Sequence, residues 1–298
     1  MRLAYTSDLH GDIESYRTLL NLAVSSGARA AIVGGDLLPH SIKLERALAV
    51  QRDFVEQWLR PLLKEFRQAH PQIEVYLLAG NDDWAAAIAL LEGLSAEGLA
   101  HPLHERVYQL APTSQSPNGE QEAPLWLAGY ACVPVTPFSI KDYEQPDDGP
   151  LPPYSFRMAY GSWRGSIQPV TAAEILARPG IAEGLAGLAR RSPPGRTIYV
   201  CHTPPANTPL DRMSGGRHIG SRALRTFIER NTPLLSMHGH VHEAPQLSNG
   251  RYSVKIGPTW CINPGHDQRR FQAVTLDTDD IAATLQHTVF GKPTEIRG

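Results

Sequence analysis

The chain has 298 residues, a formal net charge of −2, 42% hydrophobic and 19% charged residues, which is typical of a soluble globular protein. The near-neutral charge argues against a protein whose main task is to hold nucleic acid by its phosphates, and no apolar run of about 18 residues predicts a membrane span. Asp8 and His10 interrupt any N-terminal signal region, and Cys132, Cys201 and Cys261 have core-like surroundings typical of a reducing compartment, so we expect a cytoplasmic protein.

The first hundred residues alternate β-rich runs with helical patterns. Helices are predicted after Gly11 and from about 42 to 69, where Pro61 marks a kink or a join between two helices. Strand–helix–strand alternation predicts a mainly parallel sheet with helices packed on it. The predicted strands are 2–7, 28–35 and 73–80.

The middle of the chain does not continue the strand–helix alternation. Segments 106–110 and 124–130 are predicted to pair as strands around a polar, exposed loop. Segment 134–165 is rich in proline, glycine and aromatic residues, and we expect an irregular loop insertion that packs on the body over a pocket. Strand and helix patterns then resume, and the end from about residue 251 is β-rich. A single domain over 1–298 with a two-sheet core fits this pattern better than two independent domains.

Metal-binding side chains stand at the C-terminal end of five apolar runs. Ligand sites of open α/β sheets lie beyond the carboxyl ends of the strands, so we expect these side chains to meet. Each motif alone has an ordinary explanation, as a turn, a helix cap or a core histidine, but five such motifs at successive strand ends favour a shared site. The side chains are Asp8, His10, Asp36, Asn81, Asp82, Asp83, His202, His238, His240 and His242.

This set contains carboxylates, imidazoles and an amide, and it does not require cysteine. Such ligands favour Mn²⁺, with Fe or Zn²⁺ as alternatives. The set is larger than one tetrahedral zinc ion accepts. It suits two divalent ions about 3.5–4 Å apart that share one bridging carboxylate.

In chain order, the motifs SDLH, GGD, GNDD, CH and HGHVH resemble those of the calcineurin-like metallophosphoesterases, D-x-H, G-D, G-N-H-D/E, H and G-H-x-H. The H-x-P-P and H-x-G-S segments resemble an uncharacterised prokaryotic branch of that superfamily. The resemblance implies a four-layer αββα sandwich: two mixed β-sheets face to face, flanked by helices, with a dimetal site at one rim. It implies Asp8, His10 and His242 as ligands of the first ion, Asn81, His202 and His240 as ligands of the second, and Asp36 as the bridge. His238 lies outside the pattern, and we interpret it as a packing residue or as a residue that supports a ligand, with a direct ligand as the alternative.

Asp82 stands where the family usually has a histidine that stabilises the attacked phosphate or protonates the leaving group. An aspartate can act as an acid there only if its pKa is raised, so the replacement favours an enzyme slow on monoesters or one that recruits another acid. The candidates lie in SGGRHIGSRALR: His218 as a catalytic residue, with capping or packing as its alternative, and Arg217 and Arg222 as phosphate-binding residues.

The expected function is dimetal-dependent hydrolysis of a phosphoester by in-line attack of a metal-bridging hydroxide on phosphorus, with diesters favoured over monoesters. The alternatives are a nuclease and a catalytically inactive interaction protein on the same fold. The expected partner is a small phosphate ester, nucleic acid is not favoured, and no membrane partner is expected. The sequence does not indicate an oligomeric state.

Overall fold

The protein is described by a computed structural model that covers residues 1–110, 124–149 and 158–293. The predicted polar loop at 111–123 and part of the predicted insertion, 150–157, lie outside the described residues. The strands are β1 (Arg2–Thr6), β2 (Ala30–Gly34), β3 (Glu74–Leu78), β4 (His101–Pro102), β5 (Val107–Leu110), β6 (Leu125–Tyr130), β7 (Val133–Pro134), β8 (Glu144–Gln145), β9 (Tyr160–Trp163), β10 (Ser166–Pro169), β11 (Thr197–Cys201), β12 (Leu235–Met237), β13 (Ser253–Ile256), β14 (Thr259–Ile262), β15 (Val274–Asp277) and β16 (Gln286–His287).

Two six-stranded sheets form the body. The first has the order β16-β15-β1-β2-β3-β4, in which β1 to β4 are parallel, β15 is antiparallel to β1, and β16 is antiparallel to β15. The second has the order β13-β14-β12-β11-β6-β5, in which β6, β11, β12 and β14 are parallel. Both sheets are therefore mixed, and the predicted sandwich of two mixed sheets flanked by helices is confirmed.

The helices cover the outer faces of the sheets. The α-helices are α1 (Ile13–Ser26), α2 (Leu44–Phe54), α3 (Arg60–Ala69), α4 (Ala85–Ile88), α5 (Leu91–Ala96), α6 (Ala172–Leu176), α7 (Ile181–Ala189), α8 (Arg222–Asn231), α9 (Ala244–Leu247) and α10 (Ile281–Thr284). No helix of the described ranges has the length and apolar character that crossing a membrane requires.

Strands β1, β2 and β3 of the first sheet are buried on both faces, which explains their apolar runs. On β1, Leu3 and Tyr5 join the cluster between the sheets, whereas Ala4 joins the cluster under the helices. Alternation along a strand sends successive side chains to opposite faces, so one strand contributes to both cores. The predicted cysteine role is confirmed too, because Cys132, Cys201 and Cys261 are all free and buried.

The long helical stretch contains a join, as Pro61 predicted. A π-helical turn, Val55–Leu59, connects α2 to α3. Pro61 lacks the amide hydrogen that an α-helical bond to the carbonyl of Gln57 would need, and the widened turn accommodates this loss.

The described part of 134–165 is more regular than the predicted irregular loop. Strands β9 and β10 form an antiparallel hairpin around Arg164 and Gly165, whose φ angles of 48° and 83° fit a two-residue turn of matching twist. Lys141 Nζ and Glu144 Oε2 form a fully buried ion pair at 2.7 Å. The high proline and glycine content of this segment is typical of loops, so the local strand pairing was not predicted.

Candidate metal centre

The carboxyl ends of parallel strands from both sheets meet at one rim of the sandwich. Asp8 and His10 follow β1, Asp36 follows β2, and His242 follows β12. One ligand atom of each of these four side chains lies within 4.8 Å of the others. Two carboxylates and two imidazoles at this separation form a ligand set that suits a divalent ion of the Mn²⁺, Fe or Zn²⁺ type.

A second group of predicted ligands lies directly beside the first. His202 Nε2 is 3.3 Å from Asp36 Oδ2, and the ring of His240 lies 5.4 Å from the ring of His202. Within the described chain, His202 Nε2 and Asn81 Oδ1 are buried without a hydrogen-bond partner. Buried polar atoms normally have a partner, so these two atoms fit the ligands of a second ion. His202 Nδ1 lies 3.0 Å from the carbonyl oxygen of Gly34, which fixes the ring with Nε2 toward Asp36.

The backbone at the ligands adopts a conformation that non-glycine residues rarely use. The φ angles are 61° at Asp8, 45° at His10, 49° at Asp36 and 65° at His240. These are four of the nine non-glycine residues with positive φ in the described part of the chain. Left-handed conformations of this kind concentrate at functional sites, so their distribution supports a built site at this rim.

Three glycines of the motifs allow the ligands to approach the backbone. A Cβ at Gly35 would overlap the His202 ring, a Cβ at Gly80 would overlap Asp36 and lie 2.7 Å from His202 Nε2, and a Cβ at Gly239 would overlap Ser7. The glycines of GGD, GND and HGH therefore leave the space that the ligand side chains occupy.

Asp83 connects the loops that follow β2 and β3. Its buried carboxylate accepts hydrogen bonds from the backbone N–H groups of Leu37, Leu38 and Gly80 at 2.8–3.0 Å. Gln51 adds a second connection, because its Nε2 donates to the carbonyl of Asp82 at 2.9 Å. These bonds fix Asp36 and Asn81 relative to each other.

The protein holds the carboxylates ionised by surrounding them with imidazoles. Burial alone would lower the pKa of His202 and His242, but Asp36 and Asp8 respectively outweigh it and raise both to about 9. Burial opposes ionisation of Asp8 and Asp36, yet the neighbouring histidines hold the pKa of each carboxyl well below its usual range. Burial lowers the pKa of His240 to about 4. His202 and His242 therefore carry protons at the positions where a cation would bind.

The residue that replaces the family histidine lies at the edge of the site. Asp82 is 26% exposed, and its Oδ2 lies 3.9 Å from His10 Nδ1 and 4.0 Å from His40 Nδ1. Burial and the charge of Asp36 raise the pKa of the Asp82 carboxyl. Its role as an acid stays a prediction.

The other three candidates lie on the segment before α8. His218 Nδ1 contacts the buried carboxylate of Asp211 at 2.7 Å, and Arg217 is exposed. Asp147 accepts hydrogen bonds from the backbone N–H groups of Arg222 and Ala223 at the N-terminus of α8, where Arg222 was predicted to bind phosphate. A carboxylate of the chain thus occupies the anion position, and the roles of His218, Arg217 and Arg222 stay predictions.

His238 is fully buried, and its Nδ1 lies 3.0 Å from the carbonyl oxygens of Cys201 and Thr203. These contacts agree with the packing role predicted for it.

Two further histidines near the site were not identified from the sequence. His40 lies beside Asp82, and His266 lies with its ring 5.2 Å from that of His242. His266 follows β14, a parallel strand of the second sheet, so the rule that located the other ligands at strand ends could have found it.

Comparisons with known proteins give a matching family and several solved structures of similar fold. A family model described as calcineurin-like phosphoesterase matches residues 1–244. The comparison with curated proteins returns no match. One solved structure aligns with a TM-score of 0.60 at 15% identity, covering 97% of this chain and 99% of that chain. TT1561 of Thermus thermophilus aligns with a TM-score of 0.55 at 18% identity, covering 97% and 98%. A dimetal phosphatase from Danio rerio aligns with a TM-score of 0.49 at 10% identity, covering 92% and 91%.

Proposed function

The chain belongs to the calcineurin-like phosphoesterase family of metal-dependent phosphoester hydrolases, and on that premise we propose that it hydrolyses a small phosphate diester with two divalent ions. The observation that carries this proposal is the convergence of Asp8, His10, Asp36 and His242 within 4.8 Å. Asn81 Oδ1, which has no hydrogen-bond partner in the described chain, and His202 Nε2, which faces the Asp36 carboxylate, support a second ion. Mn²⁺ is the ion we propose for both positions, because carboxylate, amide and imidazole ligands suit it.

The seven predicted ligands divide into two groups. Asp8, His10 and His242 would hold one ion, Asn81, His202 and His240 would hold the other, and Asp36 would contact both. Two divalent ions supply positive charge that polarises a phosphoryl group and activates water near neutral pH. The buried walls of the site limit solvent around the ligands, since Asp8 and His202 are completely buried.

Asp82 favours a diester over a monoester. A phosphate monoester carries close to two negative charges near pH 7, whereas a diester carries one. An ionised Asp82 at the edge of the site repels the dianion more strongly than the monoanion, because Coulomb energy scales with the product of the charges. Replacement of the family histidine by aspartate removes a cation that a dianionic monoester would use.

The test is hydrolysis of bis(p-nitrophenyl) phosphate beside p-nitrophenyl phosphate by the Mn²⁺-loaded protein, with Asp36→Asn as the blank. We expect faster diester turnover that the blank lacks. Asp82→His should raise the monoester-to-diester ratio of kcat/KM about tenfold, whereas Asp53→His, an exposed control on α2, should leave the ratio unchanged. Faster monoester turnover by the wild-type protein would contradict the proposed preference.

A further inference from the structure

His266 is an imidazole at the rim of the metal centre that none of the roles described above uses. It follows β14, which lies beside β12 in the second sheet. Its ring centroid is 5.2 Å from that of His242 and 5.9 Å from that of His10, with edge-to-face geometry at both contacts. His266 therefore borders the position of the first ion on the side of these two ligands.

The backbone fixes His266 relative to the ligand segment. Its N–H donates to the carbonyl oxygen of His242 at 3.0 Å. Asn263 is buried, and its Nδ2 donates to the carbonyl oxygens of Gly239 and Val241, both at 3.2 Å. Gly265 has a φ of 73°, and a Cβ there would lie 2.7 Å from the carbonyl oxygen of His242. The turn from 263 to 266 is thus built onto the segment that carries His240 and His242.

His266 is not one of the seven predicted ligands. It is not a member of the group of four side chains whose ligand atoms lie within 4.8 Å of one another. Its side chain is half-buried, and no described residue forms a hydrogen bond with its ring nitrogens. The fold holds this polar ring beside the site, and the ring has no hydrogen-bond partner in the described chain. Its nitrogens are therefore available to a group that enters from solvent.

We propose that His266 binds the phosphoryl group of the substrate, donating a ring N–H to a non-bridging phosphate oxygen on the side of Asp8, His10 and His242. This inference rests on the proposed function, because it takes a phosphate ester as the ligand. Asn263 is a positioning residue that acts through the turn. A hydrogen bond from imidazole to an anionic oxygen strengthens binding of both the ester and inorganic phosphate, the product-like anion.

The test measures binding of inorganic phosphate to the Mn²⁺-loaded protein by calorimetry, so it does not depend on turnover. His266→Ala should weaken phosphate binding about tenfold or more, and His266→Gln, which keeps an N–H donor, should recover part of the loss. His70→Ala is the matched control, since His70 is also half-buried but lies at the end of α3, before the amino end of β3, whereas the metal centre lies at the carboxyl ends of the strands. Bound manganese should remain at the wild-type level in all variants.

The phosphate affinity, metal content and melting temperature of the His266 variants distinguish a phosphate-binding role from a ligand or structural role. Unchanged phosphate affinity in both His266 variants would overturn the inference, as would an absence of phosphate binding by the wild-type protein. Loss of a metal ion from the variants would also overturn it, because His266 would then be a ligand. If His266→Ala melts at a much lower temperature than the wild-type protein, the phosphate affinity of His266→Gln is the result that tests the inference. Phosphate binding that weakens in the variants of a protein that hydrolyses neither ester would sustain the role of His266 and refute the proposed function.

Discussion

At the scale of single residues, the site is assembled at a cost in conformational energy. A left-handed conformation at a non-glycine residue costs on the order of 1–3 kcal/mol, and Asp8, His10, Asp36 and His240 all adopt one. The hydrogen bond from the backbone N–H of His240 to Asp8 Oδ1 at 3.0 Å holds two of them together. Packing of the surrounding strands offsets this strain, so the ligands are in place before an ion arrives.

Metal affinity should rise with pH because the ion displaces protons. The pKa of His202 and of His242 is about 9 without metal, so both imidazoles carry a proton at neutral pH that an ion must replace. We expect the apparent affinity for Mn²⁺ to increase between pH 6.5 and 8.5, by up to about tenfold per pH unit for each displaced proton. Calorimetric titration with Mn²⁺ in buffers of different ionisation enthalpy measures both the affinity and the protons released. An affinity independent of pH would contradict this account of the two histidines.

Gly80 should be intolerant of any side chain. Gly80→Ala places a methyl group against Asp36 and 2.7 Å from His202 Nε2, so one of these ligands must move. We expect at least a tenfold loss in Mn²⁺ affinity, which fluorescence or calorimetric titration measures. Gly195→Ala serves as the control, because a Cβ there meets nothing within 4 Å. Equal metal affinities of the two variants would show that Gly80 does not limit the site.

The ligand residues could be identified from the sequence, but some of their neighbours could not. Asp8, Asp36 and His202 stand in short motifs with a fixed place at strand ends. The Asp147 contact with the N-terminus of α8 joins residues 75 positions apart in the chain, and no local sequence pattern predicts it. The phosphate-binding roles of Arg217 and Arg222 were predicted from the local segment SGGRHIGSRALR, which does not reveal a distant carboxylate.

At the scale of elements, Asp83 is the residue that joins the loops after β2 and β3. The sequence showed an aspartate at the end of β3 but did not indicate that it serves the preceding strand. One of its backbone donors, Leu37, lies 46 positions away along the chain, and the two become neighbours only because β2 and β3 pair in parallel. Pairing of strands thus creates a hydrogen-bond network that local motifs do not encode.

Asp83→Ala should destabilise the protein strongly. The change leaves three buried backbone N–H groups without an acceptor, and each unsatisfied group costs about 1–3 kcal/mol. We expect a loss of at least about 3 kcal/mol in the free energy of unfolding, measured by urea denaturation of the metal-free protein. Asp12→Ala, which removes the exposed N-cap of α1, should cost only about 1 kcal/mol. Similar losses in the two variants would mean that water satisfies the loop donors.

At the scale of the whole molecule, the metal centre links the two sheets. Asp8 and Asp36 come from the first sheet, whereas His202 and His242 come from the second. The strands, their parallel order and the helices between them follow from apolar periodicity, so this part of the fold was predictable. The hairpin of β9 and β10 was not, because its local pairing lies within a segment rich in proline and glycine. The buried Lys141–Glu144 pair was not, because tertiary packing decides it.

The stability of the metal-free protein should fall on both sides of a range near pH 6.5. The raised pKa values of His202 and His242 stabilise the folded protein. This stabilisation is fully present below the unfolded-state pKa of 6.5, and it is lost as the pH rises through about 9. His238 and His240 have pKa values lowered to about 4, so their stability is present above 6.5 and is lost as the pH falls through 4. Melting temperatures of the chelator-treated protein from pH 4 to pH 9.5 test this. A melting temperature that rises steadily to pH 9.5 would contradict it.

Metal content decides whether this chain holds two divalent ions through a shared Asp36. The measurement is manganese bound per chain after loading and gel filtration, for the wild-type protein and Asp36→Asn in parallel. We predict two ions per wild-type chain and loss of both tightly bound ions in the variant, because Asp36 lies against ligands of both groups. Two ions still tightly bound in Asp36→Asn, or no more than one in the wild-type protein, would contradict the account.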